Sequence, residues 1–373
     1  MKIAVIAGTR PEIIRVAVLI KELQKNKLDF SFIQTGQHYD FNMAGIFIKE
    51  LGLPEPDFKL QYEAETHSEH MSAMMPFLEK IFAEKKFDIA LVQGDTNSTL
   101  SAALSAVKIH LPVGHIEAGP RCYDLRRPEE VNRLLTDHIS SLLFAHSEDS
   151  MQKLLKEGIH QNRIFVTGNT IIDACYEFTE LAKEKANIYR QIDPKNYILV
   201  TLHRAETVDY KDKLEEFLKT LGELSETYQI IFPMHPRTAK MIEKFNLTNL
   251  INKKSINIIE PVGYFDFLAF LNNAKLLLTD SGGALKEATA YKIPTIVYTD
   301  NWVDTEGEDV FWKISGYSGK RIIELVDELI SPRFKETVKN LPSPFGDGKA
   351  SNRILEITKA AFEKNELKLP DKL

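Results

Sequence analysis

The sequence predicts an α/β protein made of two doubly wound domains. Short apolar strands alternate with helical patterns, and the strands are apolar at consecutive positions, which is typical of parallel sheets covered on both faces. The same alternation starts a second time at Tyr197. The chain has 373 residues, and because a domain usually has roughly 100 to 200 residues, two domains are expected.

Ten segments are predicted to form strands. The first five are Lys2–Ala7, Phe30–Thr35, Ile89–Gln93, Pro112–Ile116 and Ser141–Ala145. The second five are Tyr197–Thr201, Ile230–Met234, Ile256–Ile259, Leu276–Thr279 and Thr295–Tyr298. Helical patterns separate the strands within each set. Ligands of such sheets bind beyond the carboxyl ends of the strands, so we expect the site in the cleft between the two domains.

The domain boundary is expected in the polar helical stretch between residues 169 and 191. We predict an N-terminal domain of residues 1–170 and a C-terminal domain of residues 171–350. A last helix within residues 351–373 follows a turn rich in Pro, Gly and Asp, and we expect it to pack back on the first domain.

Composition limits the partners. The chain has 47 Lys and Arg against 53 Asp and Glu, a formal net charge of -6, so nucleic acid is not an expected partner. The two cysteines, Cys122 and Cys175, form neither a disulfide framework nor a zinc ribbon. The first residues are typical of a strand and not of a signal peptide. No apolar run approaches the ~18 residues of a membrane span. We therefore predict a cytoplasmic protein without a membrane partner.

The sharpest local motif runs from Asp280 to Glu287, between an apolar strand and a helix. The small residues Ser281, Gly282 and Gly283 let backbone N–H groups approach an anion, and a helix N-terminus favours phosphate. Glu287, about one turn further on, is suited to accept hydrogen bonds from ribose hydroxyls. A simple capped turn is the alternative, but two adjacent glycines are more than a cap requires.

A second motif follows the first strand, where Arg10 and Pro11 open a helix after Gly8. A cation is unfavourable at a helix N-terminus unless an anion lies there. Diphosphate binding and a plain surface arginine are both open for Arg10. The single glycine means that the dinucleotide fingerprint is absent, which removes the simplest argument for NAD.

Three carboxylates of the first domain lie at or after strand ends. Asp95 follows one strand, Glu117 lies just past another and before a glycine, and Glu129 follows Pro128. Carboxylates that lie together raise one another's pKa and can divide acid from base roles. Helix capping is the alternative for Asp95, and an ordinary first-turn acid for Glu129. Glu117 is the strongest candidate.

Two histidines of the second domain follow strands in the same way. His203 precedes Arg204, and His235 precedes Pro236. Histidine and arginine at these places are suited to hold a diphosphate or protonate a leaving oxygen. A loop histidine with satisfied hydrogen bonds is the alternative for each.

No metal or P-loop motif is present. The pair His67 and His70 lacks a third ligand signature, and Gly348-Lys349 lacks the upstream glycine of a P-loop.

Together these residues resemble the non-hydrolysing UDP-N-acetylglucosamine 2-epimerases over nearly the whole chain. The matching segments are GTRPEIIR (8–15), TGQHYD (35–40), QGDTNST (93–99), GHIEAGPR (114–121), RRPEEVNR (126–133), TGNTIIDA (167–174), TLHRAET (201–207), EPVGYFDF (260–267) and TDSGG (279–283). The resemblance implies the GT-B arrangement of two Rossmann-like domains and a homodimer. It also implies reversible 2-epimerisation of UDP-N-acetylglucosamine to UDP-N-acetylmannosamine, through elimination of UDP to 2-acetamidoglucal, without NAD or metal, in polysaccharide biosynthesis.

The resemblance also assigns roles. Asp95, Glu117 and Glu129 would supply acid and base groups, and His203 would act near the diphosphate. The other implied substrate contacts are Ser281, Gly282 and Gly283 to phosphate, Glu287 to ribose, Phe267 beside uridine, and Arg10, Arg15, Arg204 and His235 around the sugar diphosphate.

Two departures from the family pattern bear on the substrate. Position 15 is commonly Lys in the family and is Arg here, and residues 299–304 lack an arginine expected on the phosphate side. The alternatives are therefore the same reaction on a modified sugar, a UDP-2,3-diacetamido-uronic acid, or a GT-B glycosyltransferase.

Overall fold

The computed structural model describes residues 1–36, 45, 47–186, 196–300, 302 and 305–370. The chain divides into two compact units. Unit 1 contains Met1–Ala174 and Phe345–Leu373, and unit 2 contains Cys175–Pro344. Within the described part of the chain, none of the helices combines the length and apolar character needed to span a lipid bilayer.

Unit 1 contains a parallel sheet of seven strands in the order β3-β2-β1-β4-β5-β6-β7. The strands are β1 Lys2–Ala7, β2 Asp29–Gln34, β3 Phe58–Lys59, β4 Ile89–Gln93, β5 Val113–Ala118, β6 Leu142–Ala145 and β7 Ile164–Val166. The helices are α1 Arg10–Lys25, α2 His67–Lys85, α3 Asn97–Lys108, α4 Pro128–Ile139, α5 Glu148–Lys156, α6 Thr170–Lys185, which continues into unit 2, and α14 Ala350–Glu363. The strand order reverses at β1 and β4, because β2 and β3 are added on one side of β1 and the later strands on the other. Such a switch point is where these sheets bind ligands.

Unit 2 contains a parallel sheet of six strands in the order β10-β9-β8-β11-β12-β13. The strands are β8 Tyr197–Thr201, β9 Gln229–Pro233, β10 Ile256–Ile259, β11 Leu276–Thr279, β12 Thr295–Val297 and β13 Trp312–Ile314. The helices are α7 Ala205–Val208, α8 Lys211–Leu224, α9 Pro236–Lys244, α10 Tyr264–Asn273, α11 Gly282–Ala290, α12 Gly319–Ile330 and α13 Pro332–Lys339.

Counted from β8, the strand order of unit 2 is 3-2-1-4-5-6, the order of the doubly wound Rossmann fold. The first six strands of unit 1 follow the same order. The predicted fold class, two Rossmann-like parallel sheets with helices, is confirmed.

The strands have the apolar character that parallel sheets require. β4 and β8 are buried almost throughout, and the core on one face of the second sheet includes Val200, Phe217 and Leu278, each fully buried. The opposite face holds Leu199, Phe270 and Leu277. Both faces are covered, which favours the strand ends and the turns after them as the place for polar groups.

Helix starts in these turns are capped by side chains. Thr9 accepts a hydrogen bond from the backbone N–H of Glu12 and the Glu12 carboxylate accepts one from Thr9, which is a capping box. Thr96 caps α3 in the same way with Thr99. The caps fix the turns after β1 and β4, which carry several of the predicted site residues.

Candidate active site

Glu117 is held in an uncommon backbone conformation. The sequence predicted Glu117 just past the end of a strand, but the residue lies within β5. The strand continues to Ala118 across a register shift between Ile116 and Ala118. Its φ is 67°, in the left-handed region. A side chain there costs on the order of 1 kcal/mol, which neighbouring structure has to offset. Such strain is typical of residues placed for chemistry.

Three side chains hold the Glu117 carboxylate. The Gln93 amide donates to one oxygen at 2.7 Å, and the Asn169 amide donates to the other at 2.9 Å. A guanidinium nitrogen of Arg15 lies 3.2 Å from the first oxygen. Glu117 is only 9% exposed. Its carboxylate is therefore fixed in orientation and balanced by a cation.

Asp95 lies in the turn after β4, near Glu117. Arg133 donates to its carboxylate at 2.6 Å. Burial raises the pKa of Asp95, and the charges of Glu117 and Glu129 raise it further, while Arg133 and Arg15 lower it. The three predicted carboxylates thus interact electrostatically, and Asp95 holds its proton to a higher pH than an ordinary aspartate does.

Glu129 and its neighbour Glu130 differ in their exposure to solvent. Glu129 is exposed in the first turn of α4. Glu130 is buried and accepts hydrogen bonds from the backbone N–H groups of Cys122 and Tyr123 and from Arg133 at 3.0 Å. Glu130 therefore holds the loop before α4, and Glu129 is left with its side chain at the surface.

The two predicted arginines of α1 have different surroundings. Arg10 is the first residue of the helix, and its guanidinium carbon lies 4.9 Å from the centre of the Phe47 ring. Arg15 lies beside Glu117, as described above. The structure therefore places Arg15 against the carboxylate cluster, and its contact with a sugar diphosphate stays a prediction.

Sequence reasoning missed Glu12, which connects two turns. One oxygen accepts from the N–H groups of Gly8 and Thr9, and the other accepts from the hydroxyls of Thr96 at 2.6 Å and Thr99 at 3.1 Å. Burial raises the pKa of Glu12 despite these donors. The capping-box pattern in TRPE was the available signal.

In unit 2, a buried carboxylate organises the turn after β8. Asp280 is fully buried and accepts the backbone N–H of His203 at 3.0 Å and that of Arg204 at 2.8 Å. Its carboxylate also lies 3.4 Å from Nδ1 of His203. Asp280 thus fixes both residues at the end of the strand.

The two predicted histidines lie side by side. The ring centres of His203 and His235 are 5.5 Å apart. His235 caps α9, where its Nδ1 accepts the backbone N–H of Arg237 at 3.2 Å. Burial lowers the pKa of His235, and the adjacent His203 lowers it further. Neutral imidazole is therefore the favoured form of His235.

The N-terminus of α11 lies beneath a stacked pair. The guanidinium carbon of Arg204 is 4.9 Å from the centre of the Trp302 ring. A Cβ placed on Gly282, the first residue of α11, would lie 3.7 Å from the Trp302 ring and 3.8 Å from a nitrogen of Arg204. Ser281 caps the helix through Ala284. A cation beside a helix N-terminus is unfavourable alone but favourable when an anion lies between them.

The remaining predicted contacts of unit 2 lie further along the helices. Glu287 is buried in α11, one turn beyond the glycines, and Phe267 is partly buried in α10 against an apolar cluster. Residues 37–40 of the TGQHYD segment, and residues 301, 303 and 304 of the altered segment, lie outside the described residues.

The predicted site residues therefore form two groups. The first group contains Arg15, Asp95 and Glu117 at the carboxyl edge of the first sheet, with Arg10 at the start of α1. Glu129 is exposed in the first turn of α4, and its charge acts on Asp95. His203, Arg204, His235, Ser281, Gly282 and Gly283 lie at the carboxyl edge of the second sheet. The first group combines carboxylates with arginines, and the second combines a helix N-terminus with histidines and an arginine and is suited to an anion.

Known proteins are similar to this chain over nearly its whole length. The sequence model of the family described as UDP-N-acetylglucosamine 2-epimerase matches residues 21–359. A UDP-N-acetylglucosamine 2-epimerase of Methanocaldococcus jannaschii is 43% identical over 96% of this chain and 98% of its own. A UDP-2,3-diacetamido-2,3-dideoxy-D-glucuronate 2-epimerase of Pseudomonas aeruginosa is 35% identical over 95% of this chain and 99% of its own.

A solved structure is similar throughout. The crystal structure of the M. jannaschii UDP-GlcNAc 2-epimerase in complex with UDP-GlcNAc and UDP has a TM-score of 0.85 at 41% identity, covering 96% of this chain and all of that one (100%). Sequence and fold thus agree over nearly the full length, and the chain belongs to the UDP-N-acetylglucosamine 2-epimerase family.

Proposed function

We propose that this protein interconverts UDP-N-acetylglucosamine and UDP-N-acetylmannosamine by eliminating UDP and adding it back. Family membership and the relative from M. jannaschii support the reaction. The observation that carries the chemistry is the Glu117 carboxylate, fixed by two amides and Arg15 beside an Asp95 of raised pKa. Two carboxyl groups in different environments are suited to act as base and acid.

Elimination of UDP allows the sugar to lose a proton that is otherwise hard to remove. The proton on the sugar carbon that carries the acetamido group is not next to a carbonyl carbon, so simple enolisation is not available. A carboxylate removes this proton while the bond from the anomeric carbon to the diphosphate oxygen breaks, and the bonding electrons leave with UDP. The resulting 2-acetamidoglucal is protonated from the opposite face as UDP adds back. Two proton-transfer groups on two faces are therefore required, and in the proposal they come from among Asp95, Glu117 and Glu129.

The leaving group, UDP, carries negative charge on its diphosphate, and unit 2 is suited to bind it. Gly282 and Gly283 open α11, and Ser281 and Arg204 lie beside them. In the proposal these residues bind phosphate, and His203 and His235 lie at the diphosphate. Stabilising charge as it develops on a leaving group commonly contributes a few kcal/mol per donor. Glu287 would bind ribose and Phe267 would lie beside uridine.

Two arginines of unit 1, Arg10 and Arg15, would approach the sugar diphosphate. The enzyme would act as a homodimer in the cytoplasm, without NAD or metal, and supply a sugar for surface polysaccharide synthesis.

A modified sugar is the second candidate substrate. Arg15 replaces the lysine common in the family, and the P. aeruginosa relative acts, by its name, on a diacetamido-glucuronate. A guanidinium is able to bind a uronate carboxylate through two parallel hydrogen bonds. The third candidate is glycosyl transfer, which requires an acceptor and does not by itself require the three carboxylates.

Proton NMR of UDP-N-acetylglucosamine with the purified protein in deuterated water tests the proposal. The expected result is UDP-N-acetylmannosamine that carries deuterium on the carbon bearing the acetamido group, formed without any acceptor. Glu117→Gln should abolish this exchange, whereas Glu79→Gln, on the exposed face of α2, should not. No exchange with this sugar but exchange with the diacetamido-uronate would establish the second candidate.

A further inference from the structure

His115 lies two residues before Glu117 and is fully buried. Its ring has hydrogen-bond partners on both sides. Nδ1 is 2.6 Å from a carboxylate oxygen of Asp137, and Nε2 is 2.8 Å from the carbonyl oxygen of Gly94. A carbonyl and a carboxylate oxygen can only accept. Nε2 therefore donates to the carbonyl oxygen of Gly94, and Nδ1 shares the second hydrogen bond with the Asp137 carboxylate.

Asp137 is suited to its part as an acceptor. Burial opposes its ionisation, but His115 and Arg121 outweigh this and hold the pKa of Asp137 below its usual range. Its second oxygen lies 2.7 Å from Arg121 and accepts the backbone N–H of Gly119 at 3.2 Å. Asp137 therefore bonds to His115 on one side and to the turn after β5 on the other.

Both ends of this hydrogen-bonded chain adjoin a predicted catalytic residue. Gly94 immediately precedes Asp95, and its φ of 76° belongs to the turn that carries Asp95 away from β4. Gly119 follows Glu117 by two residues. The bonds from Gly94 through His115 and Asp137 to Gly119 therefore join the turn of Asp95 to the strand end of Glu117.

We propose that His115 is a positioning residue for epimerisation, which sets the separation of Asp95 and Glu117 by bridging Gly94 and Asp137. The inference rests on the proposed function, since it concerns the same two carboxylates. It matters because proton transfer requires the acid and the base at hydrogen-bond distance from one carbon atom. A displacement of about 1 Å in a catalytic group lowers rates on the order of 100-fold.

Two isosteric variants separate the ends of the bridge. The amide nitrogen of Asn reaches the place of Nδ1, so His115→Asn keeps a donor to Asp137 and loses the bond to Gly94. The amide of Gln reaches the place of Nε2, so His115→Gln keeps the bond to Gly94. His110→Asn is a matched control, because His110 is exposed at a left-handed position that Asn tolerates.

The expected result is a fall in kcat of about 100-fold for His115→Asn and for His115→Gln, because each breaks one end of the bridge, with KM changes below about two-fold for both. Affinity for UDP alone should equal that of the wild type, because His115 is not among its proposed contacts. Wild-type kcat in either variant, or a loss of kcat matched by an equal loss of UDP affinity, would overturn the inference.

Failure of the inference differs from failure of the proposed function. An active wild-type enzyme with an unaffected Asn variant counts only against the bridge, whereas a wild type without exchange in deuterated water counts against epimerisation. A second measurement is made on the wild type and uses a variant only to assign its signals. Ring nitrogen NMR, assigned by loss of the signals in His115→Gln, should show a proton on Nε2, the nitrogen that donates to Gly94, and an unprotonated Nε2 would overturn the bridge.

Discussion

Arg15 and Glu117 form an ion pair in which a guanidinium nitrogen lies 3.2 Å from a carboxylate oxygen. The Arg15 side chain is 17% exposed and that of Glu117 9%. Removing one partner of a buried pair leaves a charge without compensation, and such losses reach about 3–5 kcal/mol in full burial. The pair therefore links the stability of unit 1 to the proposed base.

We expect Arg15→Met to lower both stability and activity, and Arg15→Lys to retain most of both. Lysine keeps the positive charge near Glu117 although it loses the planar geometry of the guanidinium. Urea denaturation and the rate of deuterium exchange measure the two effects. Equal activity of the Met and Lys variants would show that the charge of Arg15 is not used.

Trp302 is predicted to support UDP binding by holding Arg204 over α11. A cation stacked on an aromatic ring contributes about 0.5–2 kcal/mol, so Trp302→Ala should weaken UDP binding by roughly two- to thirty-fold. Trp302→Phe should restore most of this loss because it keeps a ring under Arg204. Titration calorimetry with UDP gives the affinities.

A control separates stacking from hydrogen bonding. The indole nitrogen of Trp302 is buried and has no hydrogen-bond partner among the residues that the structure describes. Phe lacks this N–H, so equal losses in the Phe and Ala variants would assign the effect to the N–H and not to the stack. Trp302 and Trp312 are the two tryptophans of the chain, so quenching by UDP that vanishes in Trp302→Phe identifies the reporter.

The fold was predictable because apolar runs and turns are local features of the sequence. The predicted bounds of Lys2–Ala7, Ile89–Gln93 and Tyr197–Thr201 are confirmed. The strands Phe58–Lys59, Ile164–Val166 and Trp312–Ile314 were missed, since two or three residues are too few for a periodic pattern. Pairing with an established neighbour, and not local preference, makes them strands.

The candidate site was predictable in its residue types and not in its contacts. Strand ends marked Asp95 and His203, because parallel strands present polar groups there. The bonds from Asn169 to Glu117 and from His115 to Asp137 join residues far apart in sequence, so no spacing rule indicates them. The left-handed backbone at Glu117 coincides with a register shift between β5 and β6 that the sequence does not mark.

Asp95→Asn is expected to lower activity about 100-fold or more and to stabilise the fold at neutral pH. Burial raises the pKa of Asp95 above its ordinary 3.8, so ionisation costs free energy in the folded protein. Below pH 3.8 both folded and unfolded forms are protonated and this cost is absent. As the pH rises through the native pKa the wild type loses stability that the Asn variant keeps. Loss of an acid or base commonly lowers rates about 100-fold or more.

Urea denaturation from pH 4 to pH 8 measures the difference in unfolding free energy between Asp95→Asn and the wild type. The difference should grow with pH and then level off. Asp124→Asn is the control. Hydrogen bonds from Arg126 lower the pKa of this surface carboxyl to about 2, so ionisation of Asp124 stabilises the folded protein and its Asn variant should not gain stability over the wild type as the pH rises. A difference for Asp95→Asn that shrinks with rising pH would contradict the prediction.

Glu12 supports a final prediction about the turns that carry the site. Glu12→Ala removes the acceptor for the N–H groups of Gly8 and Thr9, and a buried group left without a partner costs about 1–3 kcal/mol. Glu12→Gln should stay within about 1 kcal/mol of the wild type. Its amide oxygen still accepts from the backbone, and its NH2 can donate to the hydroxyl oxygens of Thr96 and Thr99. Urea denaturation at pH 8 should therefore rank the Ala variant well below the Gln variant. Equal stabilities would mean that Thr9 and Thr96 fix the two turns without Glu12.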